Sequence, residues 1–248
     1  VLSAIYNSLY FSQMVWPDFD MFQTHNPNGE YHAISRAISG GPIYLTDTPG
    51  EQNFEIIKKL TYDDGRIIRT DQPLLPTEDC LFQVQEAKPF KAFTFIGETG
   101  ILGVWNAADA DMVSGSFRAS DIHDIQWESF VVYDYFEKKY YRVQKEEALE
   151  INLPRMGYKL FFVMPEKIFN PVGLTDNYNA PGTIASGVFR DNAYKVTLYE
   201  GGTFTGICEQ EPKNVLVNGQ SADYNYSNGI IQIKIPNRLK EVKLQIEL

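Results

Sequence analysis

Hydrophobic positions along the chain follow two regimes. Over residues 1–62 they recur at helical spacing, broken by short apolar runs. Leu2, Ile5 and Leu9, with Tyr6 and Tyr10, predict a helix at the start, and Met14 to Trp16 a short buried strand. Asn26-Pro27 then reads as an N-cap followed by proline at the first helical position. Tyr31, Ile34 and Ile38 continue that helix until Gly40-Gly41-Pro42 stops it. A second apolar strand is expected over 42–45. Thr48-Pro49-Gly50-Glu51 has the spacing of a capping box opening a helix through Leu60, with Asp63-Asp64-Gly65 as its end. Three- or four-residue apolar strands joined by helices suggest parallel βα units buried on both faces. Two such units leave unpaired edges, so the remaining strands are expected outside these residues.

Beyond a Pro-containing stretch over 66–79, expected as a linker, the period changes to two. Residues 131–136 and 140–143, flanking Glu137-Lys138-Lys139, predict a hairpin. Strands are expected at 196–199 and 215–217, with Asn218-Gly219 and Asn228-Gly229 as tight turns. In the tail, Ile231, Ile233 and Ile235 alternate with Gln232 and Lys234. Val242, Leu244, Ile246 and Leu248 then share a face opposite Lys243, Gln245 and Glu247. The pattern predicts an antiparallel β-sandwich over 80–248 with one solvated face per sheet.

Charge narrows the function. A formal net charge of −10, with no cluster of Lys, Arg and aromatics, disfavours a nucleic-acid partner. No apolar run is long enough to span a bilayer, so no membrane partner is expected. The segment 1–11 lacks a basic leader and cleavage site, and a cytoplasmic setting is favoured. Cys80 and Cys208, far apart and outside any C-x-x-C, are expected as buried thiols. His25, His32 and His123 lack metal-ligand spacing, so neither metal nor cofactor is implied. His32, on the predicted helix, reads as a packed or paired histidine.

The segment Trp16-Pro17-Asp18-Phe19-Asp20-Met21-Phe22 carries the candidate chemistry. In extended chain, Asp18 and Asp20 would project to one side. Residues just past a strand's C-terminal end line the active site of a βα barrel. Carboxylates accept sugar hydroxyls, and an indole covers the apolar side of a pyranose, so Trp16, Asp18 and Asp20 are candidate substrate-binding residues. Asp47 ends the second strand in the equivalent place and joins them. The competing readings are that Asp18 and Asp20 cap a turn or pair with Arg36, and that Asp47 serves only its own turn.

Tyr6-Asn7-Ser8-Leu9, Pro17 to Phe22, Glu30-Tyr31-His32-Ala33 and Arg36 to Tyr44 together make the chain resemble a known family. So do Asp47, Pro49-Gly50, Phe54, Pro76 to Phe82, Gly103-Val104-Trp105-Asn106 and Phe169 to Leu174. The resemblance is to the raffinose synthase and alkaline α-galactosidase (seed-imbibition) branch of glycoside hydrolase family 36, which usually has Trp where Phe19 stands. It implies the last strands and helices of a (β/α)8 barrel over 1–65, a linker, and a C-terminal β-sandwich. It also implies a retaining hydrolase acting on α-galactosides, with nucleophile and acid/base upstream of these residues. Implied partners are an α-galactoside or other oligosaccharide and the rest of the same enzyme, carrying barrel strands one to six. A galactosyl-transferring raffinose synthase and a non-catalytic carbohydrate-binding or scaffold sandwich are the alternatives.

Overall fold

A computed structural model describes residues 1–82 and 86–248, with only the backbone of 238 and 239. The protein is mostly β with a few helices, and it divides into two compact units. The first comprises Val1–Leu60 and Arg69–Glu166, the second Thr61–Ile68 and Lys167–Leu248. This cuts across the expected division into 1–65, 66–79 and 80–248. The stretch expected as a linker is built into both units, and two β units with separate cores replace the single sandwich.

In the first unit, helices α1 (Leu2–Phe11), α2 (Gly29–Ala37) and α3 (Phe54–Lys58) precede the strands. The strands are β1 (Leu75–Pro76), β2 (Phe90–Ile96), β3 (Thr99–Trp105), β4 (Met112–Phe117), β5 (Ser129–Asp134), β6 (Lys139–Gln144), β7 (Leu149–Pro154) and β8 (Tyr158–Pro165). Among the described residues, six form an antiparallel sheet in the order β1-β2-β3-β8-β5-β6, while β4 pairs with β7. The predicted hairpin is β5–β6.

Both faces of the inner strands β2, β3, β8 and β5 are covered, whereas the edge strand β6 keeps exposed residues. Leu102 and Val104 join Phe93, Phe130, Val132, Phe161 and Val163 in a core with Val113, Phe117, Ile151 and Leu153 of β4 and β7. Gly103 and Trp105 therefore face the other way, toward α2. There the fully buried Trp105 donates its indole N–H to the Tyr31 carbonyl at 3.3 Å. A Cβ at Gly103 would stand 2.7 Å from Ile38 Cδ1 and 2.2 Å from the Trp105 ring, so only glycine lets the helix approach this closely. Glu30 completes the seam, accepting from Lys59 Nζ at 2.7 Å and from the Tyr158 hydroxyl at 2.9 Å. The first sixty residues are thus packed into the same unit as the sheet.

The early elements shift from their expected places. α1 is as predicted. Residues 14–16 form no strand, and Met14 and Val15 are exposed. The parallel pairing lies downstream, as a single bridge between Phe22 and Leu45, with Thr46 N donating to the Phe22 carbonyl at 3.0 Å. α2 starts at Gly29 because Asn26 spends its side chain on a turn, accepting from Asn28 N. α3 starts at Phe54 because Asn53, rather than Thr48, caps it through Glu55 N.

The second unit contains β9 (Phe169–Leu174), β10 (Ile184–Arg190), β11 (Ala193–Cys208), β12 (Asn214–Val217), β13 (Gln220–Ser221), β14 (Asn225–Ser227) and β15 (Ile230–Glu247). β11 and β15 form its spine, and β9, β10, β12 and β14 pair against them. Asn218 and Asn228 take φ of 50°, each followed by glycine at positive φ, as two-residue hairpin turns require. Residues 61–68 are tied in by Asn177 to the Thr61 carbonyl, Asn179 to the Ile68 carbonyl and Tyr62 to the Gly182 carbonyl. Cys80 and Cys208 are both buried thiols.

Candidate functional site

Asp20 takes φ of 61°, so the chain after Pro17 turns instead of running extended, and the two-residue spacing does not place both carboxylates on one face of a strand. Asp18 stabilises this turn by accepting the Asp20 N–H on Oδ1 at 2.7 Å, and Asp20 Oδ1 accepts from Met21 N. Arg36 holds the turn from below. Its buried guanidinium donates to the carbonyls of Phe19, Asp20 and Met21, and it also lies over the Phe22 ring at 5.2 Å. Of the two competing readings, the geometry gives the carboxylates capping a turn, while Arg36 bonds to backbone carbonyls rather than to the carboxylates.

Both carboxylates remain exposed. Asp18 Oδ2 accepts the Tyr44 hydroxyl at 2.7 Å, linking the two loops that follow the expected strands. That bond, with help from burial and the Asp18 and Asp20 charges, raises the Tyr44 pKa and keeps the phenol protonated as a donor. Trp16 is 39% exposed, with Arg69 stacked 4.7 Å over its ring. Arg69 is fixed by donating Nε to the Gly40 carbonyl at 3.0 Å. One indole face is thereby occupied within the protein.

Asp47 stands apart from the other candidates. Its side chain is 1% exposed. Its Oδ1 accepts from the Thr24 hydroxyl, His25 N and His25 Nδ1 at 3.0, 3.1 and 2.7 Å, while Oδ2 is buried without a partner. Burial would raise its pKa, but the bonds from His25 and Thr24 outweigh it and hold the carboxyl below its ordinary value. Asp47 therefore clamps the Thr24–His25 turn and offers no exposed carboxylate to a substrate. His32 is packed beside Arg36. Burial first, then the Arg36 charge, depress its pKa to about 4, so it is neutral near pH 7.

The structure thus brings Asp18 together with Tyr44, which spacing did not single out. The two lie 26 positions apart and meet only because Phe22 and Leu45 pair in parallel. His25 was likewise invisible, since its partner is 22 positions away.

The family described as raffinose synthase or seed imbibition protein Sip1 matches residues 1–125 and 107–235. A galactinol–sucrose galactosyltransferase of Oryza sativa subsp. japonica is 31% identical over 273 residues, covering 95% of this chain and 35% of that protein. A stachyose synthase of Pisum sativum is 31% identical over 272 residues, covering 95% and 32%. The chain spans about a third of the length of the curated relatives it matches. Among solved structures, α-galactosidase I from Mortierella vinacea is similar with a TM-score of 0.42 and 15% identity over 61% of this chain and 40% of that one.

Proposed function

As the chain belongs to the raffinose synthase or seed imbibition protein Sip1 family, we propose that it is the C-terminal portion of an enzyme moving an α-galactosyl group from a galactoside donor to a sugar acceptor. The observation that carries this reading is the 31% identity to a galactinol–sucrose galactosyltransferase along 95% of the chain. We favour transfer over the hydrolase expected from the resemblance, because the relatives matched along 95% of this chain are named as a galactinol–sucrose galactosyltransferase and a stachyose synthase. A scaffold sandwich is disfavoured because 1–60 packs into the first β unit with exposed carboxylates on its loops.

In this reading residues 1–60 complete a (β/α)8 barrel of the glycoside hydrolase family 36 type. Leu9, Phe11, Met14 and Val15, all exposed here, would face the remainder of the barrel, which supports the reading because such an apolar cluster marks an interaction surface. The reaction is a double displacement. A carboxylate bonds to the anomeric carbon as the glycosidic C–O bond breaks and an acid protonates the leaving oxygen; an acceptor hydroxyl then displaces the carboxylate. Both catalytic groups are assigned to the part of the enzyme outside these residues.

Asp18 binds substrate. Each of its oxygens has committed one bond, Oδ1 to Asp20 N and Oδ2 to Tyr44, which leaves a lone pair on each for a sugar hydroxyl. The turn and the tyrosine hold it in place before substrate arrives, lowering the entropy lost on binding. In the full-length protein, supplied with galactinol and sucrose, Asp18→Asn should lower kcat/KM at least about tenfold, the scale of one lost charge-assisted hydrogen bond. Tyr44→Phe should act in the same direction and less. Unchanged kinetics in both variants would remove Asp18 from the site.

A further inference from the structure

His25 and Asp47 form a pair that the role given to Asp18 leaves unused. Because Phe22 and Leu45 run parallel, residues 23–25 and 46–47 leave the same end of that pairing. Gln23 Nε2 ties the two segments by donating to the Thr46 carbonyl at 3.4 Å. This is the carboxyl end, where βα units bind their ligands. Asp18 and Tyr44 come before the pairing, so along both segments the two places are separate.

A relay of bonds fixes the His25 ring. Asn53 N, at the α3 cap, donates to the Thr24 hydroxyl at 2.8 Å, and that hydroxyl donates to Asp47 Oδ1 at 3.0 Å. His25 Nδ1 meets the same oxygen at 2.7 Å. Thr24 and the Asp47 side chain are each 1% exposed, whereas the His25 side chain is 35% exposed. A carboxylate only accepts, so Nδ1 carries the hydrogen and Nε2 of the neutral ring keeps a lone pair. Nε2 has no partner among the described residues. The other two histidines differ: His32 lies against Arg36, and His123 turns one nitrogen to Glu78 and the other to Asp124. The turn itself is already held at Asp47 Oδ1 by His25 N and Thr24, so the imidazole is not needed to brace it. A ring oriented by a buried carboxylate, with its far nitrogen open, is set to receive a proton donor.

The bare lone pair selects its ligand. It offers nothing to carbonyl, carboxylate or phosphate oxygens and accepts from a hydroxyl. Galactosyl transfer needs two sugars held together, and charge decides which goes where. The galactosyl carbon gains positive charge as its bond breaks. The Asp18 carboxylate stabilises that charge, and a neutral imidazole does not. We propose that His25 binds the acceptor, its Nε2 taking a hydroxyl of the incoming sugar and favouring that sugar over water. This rests on the galactosyl-transfer reading and adds to it a residue for the second sugar.

The test uses the full-length protein with galactinol and sucrose. His25→Ala should raise the KM for sucrose about tenfold, the scale of one lost hydrogen bond, move kcat less, and raise the share of galactose released to water. His25→Gln, whose carboxamide oxygen still accepts, should recover part of that loss. Ethoxycarbonylation of wild-type His25 by diethyl pyrocarbonate, followed by mass spectrometry, should slow when sucrose is present. If the wild type makes galactosylated sucrose while His25→Ala keeps the wild-type KM for sucrose, this proposal alone is overturned. Equal losses in both variants, or labelling of His25 indifferent to sucrose, overturn it too. A wild type that releases only free galactose overturns the transfer reading and this proposal with it.

Discussion

At Asp47 the carboxylate that resembled a substrate ligand is an internal clamp, and its environment sets a pH dependence. Its folded pKa lies below the ordinary value. Its stabilisation is therefore fully present above the ordinary carboxylate pKa and is lost as pH falls through the folded value. Asp47→Ala should cost about 2–4 kcal/mol near pH 7, as loss of a buried charged acceptor with three donors does. Urea unfolding should show that difference shrinking toward pH 3; a difference independent of pH would refute the clamp. Burial pushes the Cys208 thiol up to about 11 and also raises Cys80, so neither should react with maleimide at pH 8 until urea unfolds the chain. Rapid labelling of the native protein would contradict this. Asp18, Asp20 and Trp16 were legible as polar and aromatic residues in a short motif. Tyr44 and His25 were not, because their bonds depend on a pairing made by tertiary structure.

Among the elements, β15 shows how a change of phase in the sequence becomes a bend. Its buried residues are odd-numbered through Ile235 and even-numbered from Val242. The ladder with β11 shifts between the Gly202–Ile235 and Glu200–Lys240 pairs, where β11 advances two residues and β15 five. An odd difference returns the apolar set to the same face after the irregularity, as a period of two demands. Gly201 makes the bend possible, since a Cβ there would stand 2.0 Å from the Pro236 carbonyl oxygen. Gly201→Ala and Gly103→Ala should each destabilise by about 1–3 kcal/mol through overpacking, measured by denaturant midpoints. A change under about 0.5 kcal/mol in either, the range of ordinary surface substitutions, would mean that the backbone there yields freely. Local signals such as Asn218-Gly219, the β5–β6 hairpin and α1 were readable because they depend on near neighbours. The capping-box pattern at Thr48 misled because a better cap, Asn53, sits five residues on.

For the whole molecule, chain order and unit membership differ. Residues 61–68 belong to the second unit, and 1–60 to the first. Sequence pattern distinguishes periods and turns, but it does not report which core a Pro-containing stretch joins, so 66–79 was read as a linker. A fragment cut at residue 80 would lose α2 from one unit and the Thr61, Ile68 and Tyr62 bonds from the other. It should lack a cooperative thermal transition by circular dichroism; a sharp one at the parent temperature would restore the linker. The proposal of galactosyl transfer is supported by the family match and by the exposed Asp18–Tyr44 pair. The most direct measurement is the product ratio of the full-length protein given galactinol and sucrose in water. Galactosylated sucrose in excess over free galactose is the predicted result. Free galactose alone, at a rate indifferent to sucrose, would contradict it.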